Sequence, residues 1–368
     1  MKAMILVLGA ILAGCLAGCG GGSSSSSSST SSTNEFAFVV GPSTASVFGY
    51  LPNTSSGVLA PLSTASFTTG PAPTSVAVLP SKKFAYITDS GANEVKIFAM
   101  DPNTGLLTVS GTPVAVGTNP TVVLTAFSGG ILLVLNKGSG TISSFTVDPT
   151  AGTLTPVPGS PFTSAANPAS MVLAQTPNLV YVISPVPGAK AQISGFTVSS
   201  GGSLTPLPSS PFTAGASAAG LAVDAAGRFL YAADPASNSI VGFSIQAATG
   251  TLATLAGSPF PAGTTPVALA LDSTTTTLVA ANSGSNNVSV FTIGTSSGAL
   301  FAAPGSPVAV GTGPAFLTVD VSGKFLYVAN QGSSNISAFG LSPGGSLVPV
   351  TGSPFSVGTA PTWITTIR

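Results

Sequence analysis

The chain has no histidine, and charged residues of either sign are scarce. Its 368 residues include nine lysines and arginines and nine aspartates and glutamates, so charged residues make up 5% of the chain and the formal net charge is +0. A nucleic-acid-binding protein needs a basic stripe, which this composition does not supply. Acid–base catalysis by imidazole and zinc sites built from His and Cys are also excluded. We therefore expect no nucleic-acid partner, no metal and no cofactor.

Cysteine is confined to the first twenty residues, at Cys15 and Cys19. The chain from Gly20 onward therefore contains no thiol and forms no internal disulfide. An exported protein of this kind depends on the burial of its core alone, which a chain of this length can provide.

The N-terminus has the features of a bacterial export signal. Met1-Lys2 precedes the apolar run Met4–Leu12, which is too short to span a bilayer. The run ends in Leu-Ala-Gly-Cys twice, at Cys15 and at Cys19. Both tetrapeptides resemble the lipobox, in which the cysteine is lipidated. A plain secretory signal with incidental cysteines is the alternative.

We expect residues 1–18 to be a lipoprotein signal peptide and residues 19–33 to be the lipidated cysteine and a tether. Cys19 is preferred to Cys15 because Gly, Ser and Thr fill the sequence that follows it, a composition typical of a flexible linker. The predicted partner is the membrane, through the lipid. The expected location is the cell envelope, at the periplasmic or the surface face of the outer membrane, since no acidic residue stands directly after Cys19.

Residues 34–368 consist of a repeat with a period of about 48 residues. Four markers recur in register: an apolar strand, a phenylalanine in the next strand, a Gly-x-Leu turn and a Gly-x-x-Pro turn. The phenylalanines are Phe48, Phe98, Phe145, Phe196, Phe243, Phe291 and Phe339. Each repeat holds several short strands separated by turn residues, which is the signature of a propeller blade.

The pattern predicts an all-β fold, a seven-bladed β-propeller with four antiparallel strands per blade. The repeat begins with the second strand of a blade, at Phe36, and ends with the first strand of one, at Pro361–Ile367. We therefore predict that the C-terminal strand pairs with the N-terminal blade and closes the ring. An open β-solenoid, the alternative fold, does not explain this offset. The propeller is expected to be a monomer.

The repeat resembles a known family. The segments Gly323–Asn330, Asn335–Phe339 and Gly352–Phe355 are similar to those of the β-propeller lactonases, which are 6-phosphogluconolactonase-like, and to YVTN-type surface repeats. The resemblance covers residues 34–368 and implies the propeller fold. It also implies a lactonase, a carboxylic-ester hydrolase, with basic or acidic residues in the central funnel.

The residues expected at the funnel offer little acid–base chemistry. Two rings of positions are predicted to line the face where the second strands end. The first ring is Gly41, Asp89, Asn136, Ser184, Asp234, Asn282 and Asn330. The second is Ser75, Val122, Ser170, Gly220, Ala268, Phe316 and Trp363. Asp89 and Asp234 are the candidate catalytic bases, although an aspartate at such a position also caps the following turn.

The candidate ligand-binding residues are uncharged. Phe316 and Trp363 fall at the same height on adjacent innermost strands, where they could stack on a sugar or another flat ligand, or pack as core. Asn136, Asn282 and Asn330 supply amides on the first ring. Asp224, Asp272 and Asp320 recur one blade apart before a turn and are expected to cap that turn rather than bind a metal.

Two functions remain open, with a third related to the first. The first is a non-catalytic module that binds a glycan, a small molecule, a protein or another envelope component at the funnel. The second is a lactone hydrolase with Asp89 or Asp234 as base. The third is a scaffold subunit that contacts partners through its blade edges. The scarcity of titratable groups favours binding over catalysis.

Overall fold

The computed structural model describes residues 34–367 apart from positions 177, 218, 273 and 275, and it describes no side chain at positions 64 and 65. The predicted signal peptide, tether and lipidation sites Cys15 and Cys19 lie outside the described residues. Within the described part of the chain, no helix has the length and apolar character needed to cross a membrane. The described residues form one compact unit.

The chain forms seven antiparallel sheets, which are the blades of a propeller. The strands are numbered in chain order, and each blade is given from its innermost to its outermost strand. Blade 1 is β34 (Trp363–Ile367), β1 (Phe36–Gly41), β2 (Ser46–Pro52) and β3 (Leu59–Thr68); blade 2 is β4 (Pro73–Val78), β5 (Phe84–Asp89), β6 (Glu94–Met100) and β7 (Leu107–Val109); blade 3 is β9 (Pro120–Ala126), β10 (Ile131–Asn136), β11 (Thr141–Val147) and β12 (Leu154–Pro156); blade 4 is β14 (Ser170–Ala174), β15 (Leu179–Ser184), β16 (Gln192–Val198) and β17 (Leu204–Pro206).

The remaining blades follow the same order. Blade 5 is β19 (Leu221–Val223), β20 (Phe229–Asp234), β21 (Ser239–Ile245) and β22 (Leu252–Thr254); blade 6 is β24 (Pro266–Leu271), β25 (Thr277–Asn282), β26 (Asn287–Ile293) and β27 (Leu300–Ala302); blade 7 is β29 (Pro314–Val319), β30 (Phe325–Asn330), β31 (Asn335–Leu341) and β32 (Leu347–Pro349). Short 3-10 turns lie at Pro42–Thr44 and Phe127–Gly129.

Six blades carry a fifth strand of two residues that the sequence did not predict. It pairs with the third strand beside the outermost strand. These strands are β8 (Val114–Ala115), β13 (Phe162–Thr163), β18 (Phe212–Thr213), β23 (Phe260–Pro261), β28 (Val308–Ala309) and β33 (Phe355–Ser356). In five blades the serine before the proline of this segment accepts a hydrogen bond from the third strand, as Ser160 Oγ does from the Ser144 amide at 2.9 Å. Proline interrupts the outer edge of the blade because it cannot donate to a ladder.

The ring is closed by its C-terminal strand, as the repeat predicted. β34 pairs antiparallel with β1, so that Trp363 lies opposite Val40 and Ile367 opposite Phe36. The innermost strand of blade 1 therefore comes from the end of the chain, while the other three come from its beginning. The predicted seven-bladed propeller and its closure are confirmed.

The second strand of every blade is buried on both faces. All six residues of β1, β5, β10, β15, β20, β25 and β30 are buried. A neighbouring blade covers each face of the sheet, so these strands are near-continuous apolar runs rather than alternating ones. The outer turns fit the same packing: Gly105 has φ of 73°, and a Cβ at this position would collide with the Phe36 ring of blade 1.

Four tyrosines join neighbouring blades through hydrogen bonds to backbone carbonyls. The hydroxyl of Tyr327 in blade 7 donates to the Gly57 carbonyl of blade 1 at 3.0 Å. Tyr86, Tyr181 and Tyr231 make the same bond to Gly152, Gly250 and Gly298 at 2.9, 2.7 and 2.8 Å. All four tyrosines are fully buried, so each hydroxyl has an obligatory partner.

Candidate functional site

The innermost strands of all seven blades enclose a central channel of about 770 Å³. Its described lining residues are uncharged: Thr, Ser, Ala, Val, Leu, Ile, Met, Gln, Pro and Gly, with Phe316 and Trp363 as the aromatic members. Thr74, Thr121 and Thr362 lie at the mouth where the innermost strands begin. This volume is within the range of about 300–1,000 Å³ that small-molecule sites occupy.

An aromatic pair lines the channel near this mouth. The rings of Phe316 and Trp363 are stacked, with centroids 4.0 Å apart and planes inclined by 24°. Phe316 lies opposite Ala329 and Trp363 opposite Val40, so both residues are at the same height on adjacent innermost strands. Trp363 also packs against a core cluster that contains Val122 and Met171 of blades 3 and 4. The predicted juxtaposition is present, and contact of the pair with a ligand stays a prediction.

Three polar atoms on lining residues are buried and have no hydrogen-bond partner within the described structure. They are Oγ1 of Thr121, Oγ1 of Thr362 and Nε1 of Trp363. Buried polar groups are nearly always paired, and an unpaired one costs about 1–3 kcal/mol. Each of these atoms is closed off from solvent, so a molecule in the channel would reach it only if neighbouring side chains moved.

The three candidate asparagines, Asn136, Asn282 and Asn330, are fully buried and hold the loop between the second and third strands of their blades. Asn282 Nδ2 donates to Asn287 Oδ1 at 2.8 Å and to Ser289 Oγ at 2.9 Å. Asn330 and Asn136 make the equivalent pairs of bonds in blades 7 and 3. None of the three lines the channel, so a ligand there would not reach them directly. Their role in ligand binding stays a prediction.

Asp89, a candidate base, is also fully buried and caps the equivalent loop of blade 2. Its Oδ1 accepts hydrogen bonds from the amides of Ala72, Gly91 and Ala92 at 3.1, 3.0 and 3.3 Å. Its Oδ2 lies 3.8 Å from the ammonium of Lys96, which lies 3.5 Å from Glu94. Blade 2 thus has Asp89, Glu94 and Lys96 where blade 6 has Asn282, Asn287 and Ser289.

Asp234, the other candidate base, caps the loops of blade 5. Its carboxylate accepts from the Ala216 amide at 2.6 Å, and from the amide and hydroxyl of Ser217 at 3.0 Å each. Burial by itself would raise the pKa of Asp234, but the hydrogen bonds from Ser237, Ala216 and Ser217 outweigh it and hold the pKa below its usual value. Such a carboxylate is a weak base, and neither Asp234 nor Asp89 lines the channel.

The aspartates that directly follow three innermost strands cap the next turn, as expected. Asp272 Oδ1 accepts from the amides of Thr276 and Thr277 at 2.8 and 3.0 Å. Asp320 and Asp224 make equivalent bonds, and Asp224 also pairs with Arg228 at 2.9 Å. Among the described residues, no three His, Cys, Asp or Glu side chains come together in a group that could hold a metal ion.

Comparison with known proteins identifies the family. The chain matches the family described as "Lactonase, 7-bladed beta-propeller" over residues 29–173 and 190–311. It belongs to this family of propeller lactonases. No curated protein matches it.

Solved structures share the fold of this propeller-lactonase member at low sequence identity. A protein of Bacteroides uniformis, named as a candidate 6-phosphogluconolactonase, is 19% identical with a TM-score of 0.76 over 91% of this chain and 99% of its own. One of Bacteroides fragilis, named in the same way, is 18% identical with a TM-score of 0.77 over 92% and 99%. The periplasmic gluconolactonase of Pseudomonas aeruginosa is 19% identical with a TM-score of 0.73 over 91% and 99%. At these identities the likeness shows the fold alone.

Two features of this family member were not anticipated from its sequence. The Asp89–Glu94–Lys96 cluster was missed, although a signal existed: three charged residues replace the Asn, Asn and Ser of blades 6 and 7 at matching positions. The unpaired hydroxyls of Thr121 and Thr362 were also missed. They could not be found from spacing, because only the packing of the channel decides which threonines find a partner.

Proposed function

We propose that the protein is a lipid-anchored, non-catalytic propeller of the cell envelope that binds an uncharged glycan or other small envelope molecule at the aromatic end of its channel. The observation that carries the proposal is the stacked Phe316–Trp363 pair in a channel of about 770 Å³ with an uncharged lining. Aromatic faces bind the apolar faces of sugars and other rings. A charged ligand would be buried without a partner, which is costly.

The polar atoms near this pair support the same ligand class. Thr121, Thr362 and Trp363 each present one buried polar atom with no partner in the described structure. A neutral molecule with several hydroxyls could pair with these groups once the side chains that cover them moved aside. Discrimination by hydrogen bonds to buried polar groups is strong, because a ligand without the matching group leaves them unpaired.

Anchoring in the envelope is the second part of the proposal and rests on the sequence of residues 1–33. We expect Cys19 to carry the lipid and the tether to hold the propeller near the membrane as a monomer. Mass spectrometry of the N-terminal peptide tests this in a bacterial host. We expect Cys19→Ser to abolish lipidation and Cys15→Ser to leave it unchanged. The reverse result would assign the lipid to Cys15, and a protein with lipid on neither cysteine would refute the anchor.

Lactone hydrolysis is a second candidate function, and the family match is the observation that favours it. It requires Asp89 or Asp234 to act as a base. The carboxylates of both residues accept hydrogen bonds from amides of their loops, and a substrate would have to displace those bonds. The relatives named above as gluconolactonases show which substrates to test first.

One experiment separates the two functions. The purified protein and its Asp89→Ala/Asp234→Ala variant are assayed for hydrolysis of sugar and acyl lactones, including 6-phosphogluconolactone. The protein is also screened for binding of neutral glycans by the fluorescence of Trp363, its single tryptophan. We expect glycan binding that Phe316→Ala weakens, and no turnover above buffer. Turnover that the double variant loses would replace the binding proposal with catalysis.

A further inference from the structure

The chain enters the propeller at the face opposite the aromatic pair. Strand β1 begins at Phe36, which lies opposite Ile367, whereas its fifth residue, Val40, lies opposite Trp363. The rise from Phe36 to Val40 is ~13 Å at ~3.3 Å per residue. We call the face where the second strands begin the entry face, and the face where they end the mouth face.

Two hydrogen bonds hold Asn34, the first described residue, against the entry face. Its Nδ2 donates to the Asn103 carbonyl at 2.9 Å, and its own carbonyl accepts from Lys82 Nζ at 2.8 Å. Lys82 lies between β4 and β5 and Asn103 between β6 and β7, in two turns of blade 2 on this face. The Lys82 ammonium also lies 5.8 Å from the centre of the Phe36 ring, within the range of a cation–π contact. Residues before Asn34 are therefore joined to the propeller at the entry face.

The length of the expected tether favours one orientation of the propeller. Residues 19–33 are 15 residues, and a flexible coil of this length has an r.m.s. end-to-end distance of ~21 Å. With the mouth face toward the membrane, the tether would have to pass two outer strands, ~10 Å at ~4.8 Å per strand, and the ~17 Å height of a six-residue second strand. This path of about 27 Å is longer than the r.m.s. distance of the coil. With the entry face toward the membrane, the coil needs no extension.

We propose that the anchored propeller holds its entry face toward the membrane and opens its aromatic mouth away from it. A neutral glycan that reaches the mouth is then soluble or wall-borne, and the head group of a glycolipid in the anchoring membrane is out of reach. This deepens the proposed function, because it names the side from which the ligand comes. It rests on the lipid anchor of that proposal and not on the binding of a glycan.

Introduced cysteines report the orientation, because the chain has no cysteine after Cys19. In the Cys15→Ser background, an added cysteine is the single free thiol once Cys19 carries its lipid. Two matched pairs flank β5 of blade 2 and β20 of blade 5, with one exposed residue beyond each end of the strand. The entry-face members are Ser81→Cys and Ala226→Cys, and the mouth-face members are Ala92→Cys and Ala236→Cys.

Energy transfer to the bilayer measures the height of each position. The lipidated full-length protein is labelled at the added cysteine with a donor dye. It is then incorporated into phosphatidylethanolamine/phosphatidylglycerol vesicles whose head groups carry an acceptor dye. We expect the mouth-face labels to lie roughly 17 Å farther from the acceptors than the entry-face labels, which is the height of a six-residue strand. Both blades should give a difference of the same sign, which excludes a tilt as its cause.

A longer tether is the matched control. A second copy of residues 20–33, inserted after Thr33, lengthens the coil without changing the propeller. It should reduce the difference in height, because a longer coil passes the blades with less extension. An undiminished difference would refute the tether as the cause of the orientation.

The outcomes separate this inference from the proposed function. Equal distances within each pair, or shorter distances for the mouth face, overturn the inference and leave the anchor standing. Lipid on neither cysteine refutes the anchor and the inference together. The expected distances without binding of any neutral glycan in the screen described above support the inference and refute only the glycan site. A glycan from that screen should bind the anchored protein and the soluble Cys19→Ser protein with equal affinity, and loss of binding on anchoring overturns the inference.

Discussion

The tyrosine bond across the ring closure gives the sharpest test of how the propeller is held together. Tyr327 Oη donates to the Gly57 carbonyl at 3.0 Å and is fully buried. In Tyr327→Phe the ring keeps its packing, but the Gly57 carbonyl loses this donor. A buried acceptor left unpaired costs about 1–3 kcal/mol, so the free energy of unfolding should fall by that amount. In a domain of this size, each kcal/mol lowers Tm by roughly 1–2 °C.

Tyr50→Phe is the matched control for this substitution. Tyr50 is 5% exposed. Among the residues that the structure describes, its hydroxyl has no hydrogen bond to a neighbouring blade. The same atom is deleted, yet we expect less than about 0.5 kcal/mol of change. Urea unfolding monitored by Trp363 fluorescence, together with calorimetry, measures both variants. Equal effects of the two substitutions would refute the reasoning, because the bond to Gly57 would then contribute nothing beyond the loss of a hydroxyl.

Four further predictions follow from the same contacts. A chain that ends at Thr362 lacks β34 and leaves β1 unpaired on one side, so its unfolding should no longer be cooperative in calorimetry. A sharp transition in this variant would show that the ring does not need β34 to close it. Burial raises the pKa of the tyrosines that join neighbouring blades, and it raises the pKa of Tyr50 to about 12. These hydroxyls therefore stay neutral in the folded state, whereas tyrosines in the unfolded chain ionise near pH 10. Their contribution is therefore fully present below pH 10 and lost as pH rises above it, and urea midpoints measured from pH 8 to 12 should fall only from about pH 10 upward. Gly220→Ala would place a Cβ 2.8 Å from the Val267 carbonyl oxygen and should cost about 1–3 kcal/mol in urea unfolding, whereas Gly340→Ala, whose nearest neighbour is 3.7 Å away, should be near neutral. Asp89→Ala should lower the free energy of unfolding by about 1–3 kcal/mol, because the loop amides lose their acceptor. The triple variant Asp89→Asn/Glu94→Asn/Lys96→Ser, which reproduces the residues of blade 6, should unfold within about 1 kcal/mol of the parent. An equal loss in both variants would contradict the equivalence of the two loops.

The fold could be predicted from the sequence because its evidence is repeated. One apolar strand, one phenylalanine and two turns recur in each blade, and the offset between Phe36 and the C-terminal strand predicted the clasp that pairs Trp363 with Val40. The two-residue fifth strands were not predicted, since a pair such as Phe162–Thr163 is too short to show periodicity. Its place is decided by pairing with β11, which is a tertiary contact.

The candidate site could be predicted only in part. Strand register placed Phe316 beside Trp363 without knowledge of side-chain conformations. The same register placed Asn136, Asn282 and Asn330 on one ring, but it could not show that their amides would be used within the loops. An amide or a carboxylate at the end of a strand can face a ligand or its own turn, and local hydrogen bonds decide between the two.

The positions at which the repeat breaks down are the ones that can give this ring a function. The glycine of the outer turn recurs in all seven blades, the buried tyrosine in four and the turn aspartate in three, because neighbouring blades meet in the same way around the ring. The ring at the height of Trp363 does not recur: Ser75 and Gly220 occupy positions equivalent to Phe316 and Trp363. At this height blades 7 and 1 carry aromatic residues, of which Trp363 also packs against the core cluster of blades 3 and 4, while blades 2 and 5 present small residues. For the ligand proposed above, this asymmetry predicts one preferred side of the channel, so substitution of Phe316, which lies outside the closing strand β34, should alter binding while leaving the ring intact.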